Sequence, residues 1–497
     1  MNLEKQLEKC IRDEAKKLIK RHHDYHNHLH TEHEQTKKRI EDAPKKIIQT
    51  PEQWKSDNKF NPFYVHSHSK SIAKSIAKKI ANGTYAPHEP LKKLIPKTGG
   101  GVREITIYQI PDAAVSRLFY VRLLAKNRHR FSSFSYAYRN DRNVHFAIQD
   151  IAVDISQDAR MFIAEFDFSD FFGSINHEYL FNQFNANGFF ISSEEEKVIR
   201  AFLSSRERGI PQGTSISLFL ANLVCWKLDK SFEKFGLKFA RYADDTVVWS
   251  PDYAAICKSF TIIDAFSREA GVSINAKKSD GISLLAREGL PTEITSKREF
   301  NFLGYSVAVS KVSIKEKSEK RIKKQISYLL YKNLIQPIRK KPLKGLIIPA
   351  NNKDIALLSA MTQVRRYLYG GLSHREMGEY LSGRQKHLYF KGIMSFYPLI
   401  NDEEQLKRLD GWLLSVIHRC VKKRSALLLS HGFDRRHSFP FSVPREKIIR
   451  EYHRRRINDK PLLEIPSFML IYKSLQHGLK ESGIERVMNP HAVNYDY

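Results

Sequence analysis

The pattern of apolar and polar positions changes character twice along the chain. Residues 1 to about 85 read as helices with polar connections; in SIAKSIAKKIANGTYAP the apolar residues keep helical spacing, which predicts an amphipathic helix stopped by Asn82-Gly83. From about residue 86 to 310, short apolar runs of strand character alternate with helical stretches, punctuated by Pro96 and Gly99-Gly100-Gly101. Beyond residue 311 the helical period returns. Ile322, Ile326, Leu329 and Leu330 share a face within residues 311–344, a stretch with twelve basic residues against Glu316 and Glu319. Its apolar face suits docking on the protein, and its cationic face suits either a phosphate backbone or solvent. Residues 354–430 are expected to be helical throughout. The tail, 431–497, holds the basic run Arg450, Arg454, Arg455 and Arg456.

Composition narrows the class. A chain of 497 residues exceeds one ordinary core, and 41% hydrophobic residues suffice to build several. No uncharged apolar run reaches the roughly eighteen residues of a membrane span. The start, MNLEKQLEKC, lacks an apolar signal core. Cys10, Cys225, Cys257 and Cys420 are scattered and form no CxxC pair, so a zinc finger is not expected and a reducing cytoplasm fits. The formal net charge of +29 changes the picture most. Such an excess opposes compaction unless an anionic partner offsets it, and nucleic acid is the usual one. Six histidines lie between His22 and His33, with His22, His26 and His30 at i, i+4, i+8. No acidic or cysteine ligand completes a metal site there, and a solvated or RNA-facing helix is expected.

The candidate chemistry is acidic. In RYADDTVVWS, residues 241–250, β-forming residues flank Asp244-Asp245: Phe239 before, and Val247, Val248 and Trp249 after. The pair sits where a tight hairpin would turn. Adjacent carboxylates repel unless a cation lies between them. In MFIAEFDFSDFFGSI, residues 161–175, an apolar strand runs into Asp167, with Phe162, Ala164 and Phe166 expected on one face. A strand ending this way can aim its carboxylate at the hairpin tip. Three carboxylates meeting there could hold two Mg²⁺ ions about 3.5–4 Å apart, one activating a 3′-hydroxyl and one steadying pyrophosphate.

These two segments resemble motifs A and C of reverse transcriptases, and further blocks follow in that family's order. GIPQGTSIS (209–217), with Ala221-Asn222-Leu223 after it, resembles motif B; GVSINAKKS (271–279) resembles motif D; FLGY (302–305) resembles the primer-gripping motif E. Upstream, LIPKTGGGVREITI and FSYAYRNDRNVHFAI resemble the two fingers blocks. Leu218 departs from the pattern, standing where many members carry proline, which touches loop shape more than chemistry.

The resemblance implies an RNA-directed DNA polymerase. Asp167, Asp244 and Asp245, with the backbone carbonyl of Phe168, would hold the metal ions. Lys97 and Arg103 would neutralise the triphosphate, Gln212 would lie against template and nucleotide, and Lys278 would protonate pyrophosphate. Phe172, five residues past Asp167, would block a ribose 2′-hydroxyl and select dNTPs. The implied fold is α+β, a right-hand polymerase with fingers, a palm with an antiparallel sheet, a helical thumb, and helical N- and C-terminal extensions. The corresponding boundaries are 1–85 for a helical extension, 86–310 for fingers and palm, 311–430 for a thumb-like region and 431–497 for a basic extension.

Neither an Asn-Ala-x-x-His element nor a Val-Thr-Gly triplet of retron enzymes is present, and the chain is most similar to the defence-associated ("unknown group") bacterial enzymes, partly through YFKGIMSFYPLINDEEQLKRLDGWLLSVIHRCVKKR at 389–424. That similarity implies antiviral defence, a noncoding RNA template, a cDNA product, dNTP substrates and no membrane partner, with self-association left open. Tyr495 and Tyr497 offer phenolic hydroxyls for protein priming, a packed or frayed terminus being the plainer reading. A retroelement or retron-like enzyme without a defence role, and a catalytically silent RNA-binding scaffold, are the alternatives.

Overall fold

The computed structural model describes residues 2–38, 40, 43, 45–96, 102–276, 279, 281–287, 289–292, 296–339, 355–457, 460–461 and 463–490. It divides into two units, one built mainly from Ile47–Arg298 together with Met1–Asn27, the other mainly from Glu299–Asn494 together with His28–Lys46.

In the first unit, helix α1 (Leu3–Lys37) contributes Leu7, Ile11 and Ala15, one apolar stripe at four-residue spacing, to the core. His22 on α1 lies against Trp54, with ring centroids 5.1 Å apart, and against Phe63, so it is packed rather than simply solvated. Helix α2 (Ser69–Ala81) buries Ala73, Ile76 and Ile80 and ends at Asn82-Gly83 as its pattern predicts. Strands β1 (Leu91–Pro96) and β2 (Val102–Ile107) form an antiparallel hairpin with Leu91 opposite Ile107 and Pro96 opposite Val102. Helices α3 (Ile110–Asn127) and α4 (Val144–Gln157) follow, the second capped by the Asn143 side chain accepting from the backbone of His145 and Phe146.

The sheet that organises this unit begins with β3 (Arg160–Phe166). The chain then passes through helices α5 (His177–Ala186), α6 (Ser193–Leu203), α7 (Ile216–Val224) and α8 (Trp226–Lys234). It returns as β4 (Lys238–Tyr242) and β5 (Asp245–Ser250), crosses over as α9 (Tyr253–Ala270), and adds β6 (Gly281–Ala286) and β7 (Ser296–Lys297). Strand order is β4-β5-β3-β6-β7, antiparallel except for the β6–β7 pair. Because β3 is central, both of its faces are covered: Met161 and Ile163 are buried on one, and Ala164 and Phe166 on the other, which they share with half-buried Phe162.

The second unit opens with a three-stranded antiparallel sheet of β8 (Phe300–Phe302), β9 (Tyr305–Val307) and β10 (Val312–Ile314). Leu303 and Gly304, both at positive φ, turn β8 into β9. Helix α10 (Glu316–Leu330) buries Ile322, Ile326 and Leu330 and exposes Lys317, Arg321, Lys324 and Tyr328, the amphipathic arrangement its sequence predicts. Helices α11 (Ile355–Tyr369), α12 (His374–Leu381), α13 (Glu403–Ser430) and α14 (Phe468–Ser482) complete the unit. The expectation of continuous helix over 354–430 fails at residues 370–373, between α11 and α12, and again between α12 and α13, where only a short 3₁₀ turn, Ile393–Phe396, is helical. Gly383 adopts positive φ, and the Gly392 backbone packs against that of Leu368 with no room for a side chain. Among the described residues, no helix is long and apolar enough to cross a membrane.

Candidate active site

Two strand ends build the site. Tyr242 pairs with Asp245, so Ala243 and Asp244 form a two-residue turn between β4 and β5. Ala243 has φ of 62° while Asp244 keeps a negative φ, the sign pattern of a type II′ turn, which suits the twist of a hairpin. Glycine is the usual residue there; alanine in the left-handed region costs about 1–3 kcal/mol. Val247, Val248 and Trp249 anchor β5 in the core. On the neighbouring strand Phe166 pairs with Thr246, so one further step along the ladder brings Asp167 level with Asp245. Asp167 and Asp244 are half-buried and Asp245 is exposed.

Asp167 is tied to the segment after α9. The Asn275 backbone N–H donates to its carbonyl at 2.8 Å, the Asn275 side-chain amide reaches its carboxylate at 3.4 Å, and its own N–H donates to Ser279 Oγ at 3.3 Å. Phe168 pairs with Ile274 and buries its ring against Phe266 at 5.5 Å.

The loop at 209–213 is bonded to this end of the sheet through backbone. Ile210 N–H donates to the Phe172 carbonyl at 2.6 Å, Gly209 N–H to the Ile175 carbonyl at 2.7 Å, and Thr106 N–H to the Gln212 carbonyl at 2.8 Å. Both glycines are required. Gly209 and Gly213 have φ of +79° and +106°, and a Cβ would stand 2.7 Å from the Phe172 carbonyl oxygen at the first and 2.6 Å from that of Thr106 at the second. The Phe172 ring is half-buried, edge-on to Tyr138 at 6.4 Å and to Phe171 at 5.8 Å. Arg103 is exposed on β2, opposite Ile95. Asp167, Phe168, Asp244 and Asp245 thus gather at one sheet end, with Phe172 and Gln212 joined to it by hydrogen-bonded backbone. Lys97, Lys278, Tyr495 and Tyr497 lie outside the described residues.

Beneath the aspartate turn lies a network that the sequence reading missed. Arg241 and Asp229 are both fully buried and meet through two bonds of 2.7 Å. Arg241 also donates to Ser135 Oγ at 2.7 Å, to Asn222 Oδ1 at 3.2 Å and to the Ala243 carbonyl at 3.0 Å, which uses all five of its N–H groups. Burial works against both charges and raises the pKa of the Asp229 carboxyl, the paired bonds to Arg241 opposing that rise; burial lowers the guanidinium pKa, but the Asp229 partner leaves it raised. The available signal was an arginine sharing a strand face with Phe239. Asn275 was likewise within a recognised block but given no role. Cys225 is buried, and burial pushes its thiol up to about 12, so it is no reactive nucleophile.

Among the described residues, no three His, Cys, Asp or Glu side chains stand close enough to form a ready-made metal cage. The donor chemistry of the three aspartates still suits a hard divalent cation, being all carboxylate oxygen, as Mg²⁺ prefers.

Residues 95–307 match the family described as reverse transcriptase (RNA-dependent DNA polymerase). A retron Ec86 reverse transcriptase from Escherichia coli is 32% identical over 124 residues, covering 24% of this chain and 37% of the relative. Protein YkfC from Escherichia coli K12 is 26% identical over 165 residues, covering 30% of this chain and 42% of the relative. The chain therefore spans less than half the length of the curated relatives it matches. An apo telomerase structure from Candida tropicalis is 13% identical, covers 78% of this chain and 72% of that one, and has a TM-score of 0.37, too low to establish a shared architecture. The chain carries a reverse transcriptase domain over residues 95–307.

Proposed function

We propose that this protein is an RNA-directed DNA polymerase that copies a noncoding RNA into cDNA from dNTPs by two-metal nucleotidyl transfer. The reading is supported above all by the register of β3 on β5, which carries Asp167 to the strand end where the turn presents Asp244 and Asp245. That end lies within the segment matching the reverse transcriptase family.

Asp167, Asp244 and Asp245, with the Phe168 carbonyl, would hold the Mg²⁺ ions. Bound there, the ions would neutralise developing charge and lower the pKa of the attacking hydroxyl. Arg103 and Lys97 would bind the triphosphate, arginine through its planar fork. Gln212 would face the nucleotide and template, Phe172 would exclude a 2′-hydroxyl, and Lys278 would deliver a proton to pyrophosphate. In this reading residues 86–310 are fingers and palm and 311–430 the thumb, with extensions at 1–85 and 431–497. The protein works in the cytoplasm, in antiphage defence.

A second reading, a retron-like enzyme without a defence role, is favoured by the 32% identity to the retron enzyme. Phage challenge of cells carrying the gene with or without Asp244→Asn separates the two, since only the defence reading expects the active gene to protect.

The polymerase reading is tested with protein purified together with its RNA, supplied with Mg²⁺ and labelled dNTPs beside an Asp244→Asn, Asp245→Asn double variant. Nuclease-sensitive DNA absent from the variant is expected, and a protease-sensitive mobility would mark protein priming. Folded, RNA-loaded protein that makes no DNA, either on that RNA or on a primed RNA template, would overturn the reading and leave the scaffold.

A further inference from the structure

The buried Arg241–Asp229 pair has no contact with solvent, and removing two charges from water is costly. Apolar residues of equal volume commonly serve a core as well, so stability alone does not account for the pair. Its geometry does. The guanidinium is gripped on three sides, by both Asp229 oxygens, by Ser135 and by Asn222, and the remaining N–H points at one acceptor, the carbonyl of Ala243. Asn222 is itself fixed by donating to the Ala137 carbonyl at 2.9 Å. Backbone bonds on both sides, Arg241 N–H to Phe134 and Tyr136 N–H to Arg241, hold the strand position.

The Ala243 carbonyl belongs to the peptide plane that Ala243 shares with Asp244. Turning that plane turns the Asp244 backbone and redirects two successive carboxylates. Ala243 stands at positive φ, a conformation alanine disfavours, so an unheld turn would relax toward negative φ and rotate this same plane. A charge-assisted bond from a rigid, fully engaged donor opposes that relaxation.

We infer that Arg241, held by Asp229, Ser135 and Asn222, is the positioning residue of the aspartate turn: it locks the Ala243–Asp244 peptide and so sets where the Asp244 and Asp245 carboxylates stand. The inference rests on the polymerase reading and assigns this network a function in catalysis rather than in folding.

The test compares the full-length parent, Arg241→Lys, Ala243→Gly and the double variant. Each is assayed for primer extension on a primed RNA across a Mg²⁺ titration, for hybrid binding and for thermal melting. Lysine keeps the charge but loses the planar fork. Arg241→Lys is expected to melt cooperatively and bind hybrid like the parent, with kcat lowered roughly tenfold or more and half-saturating Mg²⁺ raised. Adding Ala243→Gly is expected to restore several-fold of that loss, because glycine takes positive φ freely. A residue that merely fills the core would show no such rescue.

Parental kcat and Mg²⁺ requirement in Arg241→Lys would overturn the inference, as would a loss that Ala243→Gly does not recover. If Arg241→Lys fails to fold, Asp229→Asn with and without Ala243→Gly carries the same comparison. A parent that makes no DNA defeats the polymerase reading, whereas an active parent with unaffected variants defeats only the role of Arg241.

Discussion

Two hairpins of the first unit are written in similar apolar residues and meet opposite fates. In the β4–β5 hairpin Phe239, Ala240, Val247, Val248 and Trp249 are buried, and a saturated Arg241 network lies under the turn. In the β1–β2 hairpin every residue of β1 is exposed, Leu94 to 66%, and Val102 at the start of β2 is exposed to 55%. The difference is neighbours. Strand β5 pairs on both edges and is covered by helix, while β1 and β2 pair only with each other. Two strands alone are marginally stable in water. The exposed hairpin is fastened by the Thr106–Gln212 backbone bond beside Gly213. One hairpin is a fixed platform for carboxylates, and the other is an arm that leaves Arg103 exposed.

The sharpest way to break this contrast is at the fastening. Gly213→Ala would place a Cβ 2.6 Å from the Thr106 carbonyl oxygen in a backbone conformation that L side chains resist. DNA synthesis is expected to fall by about 100-fold, the cost of a roughly 1 Å misplacement of reacting groups. Gly236→Ala, at a similarly positive φ but with nothing within 4 Å, supplies the control for backbone strain alone. Equal activity in the two variants would show that the fastening does not matter.

The next effect concerns the platform side. Phe172→Val should raise ribonucleotide incorporation by roughly tenfold or more while dNTP use persists, because the ring is cut back but the carbonyl bonded to Ile210 is retained. Unchanged sugar selectivity in a competition assay would remove Phe172 from the nucleotide pocket. On the arm, Arg103→Ala should raise the KM for dNTPs by roughly tenfold with little change in melting, since surface substitutions seldom shift stability by more than about 0.5 kcal/mol. A large loss of melting temperature instead would mean that Arg103 holds the fold.

What could be read ahead of the structure followed from how local each signal is. Helix α2 and its stop at Asn82-Gly83, the strand into Asp167 and the hairpin at Asp244-Asp245 rest on spacing and turn residues within a few positions, and all are found. The break between α12 and α13 was missed because it depends on Gly392 meeting the backbone of Leu368, a contact made only in three dimensions. The Arg241 network was missed for a related reason: Asn222 and Asp229 lie 19 and 12 residues from Arg241 but on separate elements, Ser135 lies 106 residues away, and the four converge only when α7, α8 and β4 pack. The exposure of β1–β2 was also invisible, since an apolar strand reads alike whether or not a partner covers it.

The smallest predicted effect separates platform from arm by pH. His145 is 1% exposed on α4, and burial alone lowers its pKa to about 4 from the ordinary 6.5. Between those values the unfolded chain binds a proton that the folded chain refuses. Stability supplied by the neutral ring is therefore fully present above pH 6.5, declines as pH falls, and is lost by about pH 4. The shift corresponds to at most about 3 kcal/mol. Buried carboxyls such as Asp112, whose pKa burial raises, titrate with the opposite sign, so the parent alone would not isolate the effect. The difference in denaturation midpoint between the parent and His145→Gln should narrow steadily from pH 7 to pH 4 as the parent weakens. Hydrogen exchange should place the acid-induced loss in α4 and the adjoining β4. Protection in β1–β2, a two-stranded hairpin with β1 exposed throughout, should change least. A midpoint difference that stays constant with pH would show that His145 is not held neutral by its burial on α4.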